Sequence, residues 1–202
     1  RTETAMGEAA LVIDPTVEVA ELAAQIHQWL GESDIDSPDQ RRLLELARQA
    51  LEAGLDRQPE LRWGDGCLRV WSGRIVSVSE PTENWLFPDE IVVGEPAEGD
   101  WGRLDWEPAG DGPGLPYDAR LSGSTSGEIE SVTPLNRAQK PINKWLQEMR
   151  IPPWWRPYLY VLRSEKGPVW VLPVGPLSAA VALDSSTAAP RLRPVWHLSS
   201  SL

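Results

Sequence analysis

Residues 139–156 read Gln139-Lys140-Pro141-Ile142-Asn143-Lys144-Trp145-Leu146-Gln147-Glu148-Met149-Arg150-Ile151-Pro152-Pro153-Trp154-Trp155-Arg156. Large apolar residues recur in this stretch with helical spacing, so that one helix face carries Ile142, Trp145, Leu146 and Met149. Pro141 suits a first helical turn, and Pro152-Pro153 prevents the helix from continuing past about Arg150. The pattern therefore predicts a short helix with a buried apolar face and a basic outer side.

Around this helix the sequence is typical of strands. Residues 158–162 are aromatic and β-branched, and they should form a hairpin with residues 169–174. Residues 195–198 should add a late strand, and residues 117–121 an early one. Residues 122–127, rich in glycine and serine, are predicted to be a solvated, flexible loop. The second half should therefore be a mostly β, barrel-like domain with one helix.

The first half begins with a predicted pair of helices. Residues 17–30 have apolar residues every three or four positions, and a second helix should start at Ser37-Pro38-Asp39-Gln40, which has the form of a capping box. Because the connection between the helices is short, they should be antiparallel neighbours.

From Leu61 the apolar period changes from about 3.6 to two. This change predicts a three-stranded meander at residues 61–63, 67–71 and 74–78. Three arginines are spread over these strands, namely Arg62, Arg69 and Arg74. They could contact phosphates, or they could pair with the many nearby acids, which is the interpretation that we favour.

The two halves together indicate an α+β chain with two domains. We expect the first domain at residues 1–107, a linker rich in glycine and proline at 108–116, and the second domain at 117–202. No run of 18 apolar residues occurs and the N-terminus lacks a signal-peptide pattern, so a soluble, cytoplasmic protein is expected. Because residue 1 is Arg rather than Met, the chain is expected to be a fragment or a processed product.

Charge is distributed unevenly along the chain, whose net charge is −11. Residues 131–202 contain nine Lys and Arg against three Asp and Glu, a net charge of +6, whereas residues 1–130 have a net charge of −17. Such asymmetry is expected when one half meets a polyanion, although solvated faces explain many moderate charge biases.

Two blocks of the sequence resemble one enzyme family. The order of Lys140, Trp145-Leu146-Gln147-Glu148, Ile151-Pro152-Pro153-Trp154, Arg156 and a hairpin resembles the C-terminal domain of tRNA(Ile)-lysidine synthetase. The helix pair followed by Leu61-Arg62-Trp63-Gly64-Asp65-Gly66 and a hairpin with a tryptophan resembles the central domain of the same family. The resemblance implies that residues 1–107 are a substrate-recognition domain and residues 117–202 a tRNA-binding domain.

The resemblance also implies an activity. Lysidine synthetases convert the wobble cytidine of tRNA(Ile) to lysidine with ATP and lysine, and they use an N-terminal nucleotide-binding domain with a Ser-Gly-Gly-x-Asp-Ser loop. No such loop occurs in the 202 residues. We therefore expect this chain to be the inactive tRNA-recognition part of such an enzyme, with no cofactor of its own and with tRNA(Ile) and the missing catalytic domain as partners.

Five basic residues are the expected tRNA contacts, and they are Arg137, Lys140, Lys144, Arg150 and Arg156. Phosphate contacts by lysine and arginine position an RNA without reading its sequence. The sequence departs from the family at Pro141 and Asn143, where further basic residues would be expected. For Arg156 the alternative is that its side chain stacks on a neighbouring tryptophan and serves the fold.

Other functions have less support in the sequence. Two histidines and one cysteine, Cys67, are too few for a disulfide framework or a cysteine-built zinc site, and no catalytic constellation is recognisable. The main alternative is a non-enzymatic pair of domains that binds proteins through exposed members of its 11 tryptophans.

Overall fold

A computed structural model describes residues 2–33, 35–53, 57–64, 66–78, 87–183 and 190–197. The chain divides into two compact units, Arg1–Ser79 and Glu80–Leu202. Both contain helices and antiparallel sheets, so the predicted α+β class is confirmed. Within the described residues, no helix has the length and apolar character needed to cross a membrane.

The first unit contains the predicted helix pair, α1 (Val19–Glu32) and α2 (Gln40–Glu52). Each helix buries the apolar stripe that its sequence predicts, with Leu22 and Ile26 on α1 and Leu43 on α2 almost fully enclosed. These stripes join Leu68 and Ile75 of the adjoining sheet in one core.

The start of α2 differs from the prediction. The N-cap is Asp39, whose carboxylate accepts a hydrogen bond from the Arg42 amide at 3.0 Å. The backbone of Asp39 is still extended, so the N-cap lies two residues after the predicted cap, Ser37, and the helix begins at Gln40. Ser37 instead bonds to His27, with 2.8 Å between Oγ and Nδ1.

The sheet of the first unit contains the predicted meander and two further strands. Its strand order is β1-β2-β5-β4-β3, and all neighbours are antiparallel. The strands are β1 (Thr2–Glu3), β2 (Ala9–Val12), β3 (Glu60–Trp63), β4 (Gly66–Trp71) and β5 (Arg74–Ser77).

The second unit is mostly β, with a curled half-barrel sheet. Its strands are β6 (Glu90–Val92), β7 (Ala97–Gly99), β8 (Gly102–Pro108), β9 (Leu115–Pro116), β10 (Arg120–Thr125), β11 (Ser131–Val132), β12 (Lys140–Pro141), β13 (Tyr160–Ser164), β14 (Gly167–Val171), β15 (Gly175–Pro176) and β16 (Arg191–His197). They form sheets ordered β15-β14-β13-β10-β6, β7-β8-β16-β9 and β11-β12. The hairpin β13–β14 and the late strand β16 lie where the sequence predicts them, although β16 begins at Arg191, four residues before the predicted start. Leu198 of the predicted strand lies outside the described residues.

Residues 122–127 are not the flexible loop that their composition suggests. Most of them belong to β10, which pairs with β13 on one side and β6 on the other, and Ser126 then begins a 3₁₀ turn. A Cβ atom at Gly123 would collide with the ring of Tyr160. The glycine at position 123 is therefore explained by an aromatic ring that packs closely over the strand.

Residues 108–116 lie within the second unit, whereas the sequence suggests a linker there. Pro108 at the end of β8 and Leu115 in β9 are both register partners of Leu192 in β16. Leu115 is fully buried, and Gly112 donates a backbone hydrogen bond to Ala109 within the connecting turn. The last described strand, β16, thus pairs with both sides of this connection, and the chain divides into its compact units between residues 79 and 80.

The described residues of the second unit form two α-helices, where one was predicted. They are α3 (Ile142–Glu148), at the predicted place, and the five-residue α4 (Ser178–Ala182). On α3 the side chains of Ile142, Trp145 and Leu146 are buried, as predicted. Met149 is wrongly predicted to lie on the inner face: it follows the last helical residue and is 41% exposed.

Candidate nucleic-acid interface

The five predicted contact residues lie on α3 and on the segments that flank it. Arg137 is the last residue of a turn, which its amide closes by donating to the Pro134 carbonyl, and Lys140 begins β12. Lys144 lies in the first turn of α3, Arg150 follows the helix, and Arg156 follows the double proline. We call Arg137, Lys140, Lys144, Arg150 and Arg156 the basic corner.

Glu148, the last residue of α3, joins two members of the basic corner. The Lys140 ammonium donates to both carboxylate oxygens at 2.8 and 3.0 Å, and Arg137 Nη1 lies 3.5 Å from Oε2. The hydrogen bond from Lys140, with the charges of Lys140, Arg137 and Lys144, lowers the pKa of Glu148. The carboxylate therefore brings together two cations from separate elements.

Sequence reasoning placed Glu148 on the outer side of the helix and gave it no function. A signal was available, because a carboxylate in the last turn of a helix faces the negative end of the helix dipole. An acid in that position needs a local cation, and Lys140 and Arg137 supply two.

Arg150 is held in an unusual backbone conformation by the end of α3. Its φ is +56°, and it occupies the position after a helix where glycine is preferred. Its amide donates to the Gln147 carbonyl at 3.0 Å, and the Ile151 amide donates to Leu146 at 2.9 Å. This pair of bonds is a Schellman motif, with the buried Ile151 side chain closing it. The motif ends the helix before the double proline and leaves the Arg150 side chain exposed.

Lys144 and Arg150 are both exposed, and neither forms an ion pair with any residue that the structure describes. Their charges are therefore available to an external anion. Lys140, by contrast, is 21% exposed, and its ammonium donates hydrogen bonds to Glu148.

Arg156 differs from the other members because it contributes to the fold. Its Nε donates to the Ile151 carbonyl at 3.0 Å across the double proline, and burial lowers the pKa of its half-buried guanidinium. The carbonyl of Arg156 accepts the Ser126 hydroxyl, which also accepts the Leu159 amide at 3.0 Å. This network fixes the turn after α3, so the alternative that Arg156 serves the fold is supported, although the bond is to a carbonyl.

The arginines of the first unit mostly have partners. Glu60 accepts from Arg62 and from Arg69, the latter at 2.6 Å. Burial raises the pKa of Glu60, but the two arginines together outweigh burial and lower it. Arg74 donates to the backbone carbonyl of Glu3 at 3.3 Å. Pairing with local acids, the interpretation favoured from the sequence, is confirmed for Arg62 and Arg69.

The described residues offer neither a cluster of metal ligands nor an exposed tryptophan. Within them no three His, Cys, Asp or Glu side chains come together as metal ligands would. Their exposed large apolar side chains are Val12, Tyr117 and Met149, so no described tryptophan is exposed. The alternative that tryptophans anchor a protein partner thus finds no support in this part of the chain.

Two protein-family models match the chain. Residues 17–76 match the TilS substrate binding domain, and residues 125–192 match the TilS substrate C-terminal domain. No curated protein matches the chain. The first match contains both helices and the meander of the first unit, and the second contains the whole basic corner together with Glu148.

Proposed function

The chain belongs to the TilS family, with a substrate-binding domain at residues 17–76 and a C-terminal domain at 125–192, and from this we propose that it is the tRNA-binding part of a TilS-like protein. In its finer form the proposal is that the chain serves a tRNA(Ile)-lysidine synthetase, which modifies the wobble cytidine with ATP and lysine. The catalytic step would belong to a nucleotide-binding domain outside these 202 residues, and the expected location is the cytoplasm.

One observation supports this proposal most directly. The C-terminal match contains five cations near α3, and two of them, Lys144 and Arg150, are exposed and form no ion pair with a described residue. Exposed cations that have no ion-pair partner among the described residues can bind phosphate and release counterions from the RNA. The basic corner is therefore the proposed tRNA contact.

The strained backbone conformation of Arg150 also supports an RNA-binding role for the basic corner. Glycine would fit its positive φ at no steric cost, whereas a residue with a Cβ atom costs roughly 1 kcal/mol there. A charged side chain kept at such a position is consistent with a role outside folding.

The proposal is tested by measuring tRNA affinity at several salt concentrations for Lys144→Ala and Arg150→Gly. Each variant should bind all tRNA sequences more weakly, and the slope of log K against log salt should decrease in magnitude by about one, or somewhat less for a partial contact. Arg150→Gly should at the same time keep or raise the melting temperature, because glycine relaxes the backbone. Weaker binding with unchanged or higher stability separates an RNA contact from a folding role.

Lys166→Ala is the matched control, since it removes one exposed cation from the turn between β13 and β14, outside the basic corner. Its salt slope should equal that of the parent chain. If Lys144→Ala and Arg150→Gly both retain the parent affinity and slope, the basic corner is not the tRNA contact.

A further inference from the structure

Glu148 is an acid placed among the cations that are proposed to bind RNA. Both of its oxygens accept from the Lys140 ammonium, and Oε2 also lies near Arg137. An ammonium has three N–H donors, so two of those on Lys140 are already directed at a carboxylate. A phosphate that approaches Lys140 meets a group that competes for the same donors.

We propose that Glu148 is a specificity-determining residue that competes with RNA phosphates for Lys140 and Arg137. The proposal rests on the proposed tRNA-binding function, and it adds a residue that opposes binding. An RNA that reaches Lys140 or Arg137 alone must take them from Glu148. An RNA whose shape also brings phosphates to Lys144 and Arg150 gains contacts that offset this competition.

The exposure of the Glu148–Lys140 ion pair indicates that Glu148 competes for Lys140 rather than merely holding it in place. Glu148 retains 36% of its side-chain exposure, and ion pairs that water reaches contribute little rigidity. The main effect of its charge is therefore to lower the local positive potential that an approaching phosphate meets. The carboxyl is ionised at neutral pH, as glutamate ordinarily is, and the hydrogen bond from Lys140 that lowers its pKa extends this charge to lower pH.

The test compares Glu148→Gln with the parent chain in binding to tRNA and to a short RNA hairpin of unrelated sequence. Glutamine keeps the size of the side chain and removes its charge. Affinity for the hairpin should rise about three- to tenfold, which is the effect of one close charge in water, and the salt slope should steepen by about one. Affinity for tRNA should rise less, so the ratio of the two affinities falls.

Glu165→Gln is the matched control, because it makes the same charge change in the exposed turn between β13 and β14. It should leave both affinities and the salt slope as they are. Glu148→Asp, which keeps the charge, should resemble the parent chain. In a Lys140→Ala, Arg137→Ala background the effect of Glu148→Gln should become smaller, because the contested donors are gone and only the charge of Glu148 near Lys144 remains.

A second measurement examines the ion pair without RNA. Carboxyl NMR should show that the pKa of Glu148 rises when Lys140 is changed to Ala, because the hydrogen bond from Lys140 is the largest cause of its lowering. An unchanged pKa would show that the pair does not form in solution, and it would overturn the inference.

The outcomes also separate this inference from the function on which it rests. Unchanged or weaker RNA binding by Glu148→Gln, or an equal rise for both RNAs, rejects Glu148 as a discriminating residue while the basic corner stands. A parent chain that binds no tRNA at low salt rejects the proposed function and, with it, the role of Glu148.

Discussion

At the scale of single residues, the structure gives Tyr160 a role in the second unit that its residue type does not reveal. Tyr160 is fully buried, stacks on Phe87 with ring centroids 4.3 Å apart, and donates its hydroxyl to the Pro88 carbonyl at 2.5 Å. Because Gly123 has no side chain, the ring of Tyr160 can occupy the space beside it. A phenol in such a place must remain protonated for the fold to keep this hydrogen bond.

Tyr160 should make the chain sensitive to alkali. Burial, with a smaller contribution from the Asp89 charge, raises the pKa of Tyr160 far above its ordinary value of about 10. Above pH 10 the unfolded chain loses this proton while the folded chain retains it, so the free energy of unfolding should fall as pH rises. Below that pH, Tyr160 should contribute no pH dependence.

Denaturant melts from pH 8 to pH 11 check this expectation. Tyr160→Phe should lose about 1 kcal/mol at neutral pH with its hydrogen bond, and should show a flatter decline in alkali. Tyr117→Phe, at a tyrosine that is 47% exposed, is the control and should decline like the parent chain. Equal alkaline slopes for Tyr160→Phe and the parent chain would contradict the assignment.

At the scale of elements, α3 is the structure on which the basic corner depends. It has only seven residues, too few to be stable from its backbone hydrogen bonds alone. Its burial of Ile142, Trp145 and Leu146 and its Schellman motif hold it in place. The helix therefore positions Lys144 and Glu148 only as long as its inner face remains packed.

Trp145→Ala should consequently destabilise the second unit by about 3–5 kcal/mol, because a large aromatic side chain that is 4% exposed would leave a cavity. Thermal and denaturant melts measure the loss. Gln147→Ala, at an exposed position of the same helix, should change stability by less than about 0.5 kcal/mol. Met149→Ala should also cost little, since Met149 lies outside the helix. A melting temperature of Trp145→Ala equal to that of the parent chain would show that Trp145 does not support the unit.

At the scale of the whole molecule, the two matched domains carry opposite charge. The substrate-binding domain at residues 17–76 has 11 acids against 7 Lys and Arg, a net charge of −4, whereas the C-terminal domain at residues 125–192 has 8 Lys and Arg against 5 acids, a net charge of +3. A chain with a net charge of −11 is therefore proposed to bind a polyanion through one local basic surface. Strong salt dependence is the expected signature of that arrangement.

The 202-residue chain by itself should neither hydrolyse ATP nor add lysine to tRNA(Ile). Its sequence contains no Ser-Gly-Gly-x-Asp-Ser loop, which the family uses for ATP. Incubation with ATP, labelled lysine and a tRNA(Ile) transcript should leave the tRNA unlabelled, while tRNA binding is retained. Incorporation of lysine by the purified chain would contradict this prediction and the division of labour that it assumes.

Local patterns in the sequence determined the helix pair, the meander, α3 and the hairpin after it. They could do so because amphipathic periodicity and prolines act over a few residues, as at Trp145 and Pro152-Pro153. The candidate cations were likewise identifiable from their type and order. The resemblance to one family, which both matches support, also rests on such short blocks.

Only the tertiary structure decided what depends on contacts between distant residues. Leu192 in the last described strand pairs with both sides of the segment that composition suggests is a linker, and pairing with β13 and β6 makes the glycine-rich segment at Gly123 an interior strand. The partnership of Glu148 with Lys140 likewise joins a helix end to a strand eight residues earlier. Such pairings are decided by the path of the folded chain, because residues far apart in the sequence, or on different elements, interact only after the backbone has brought them together.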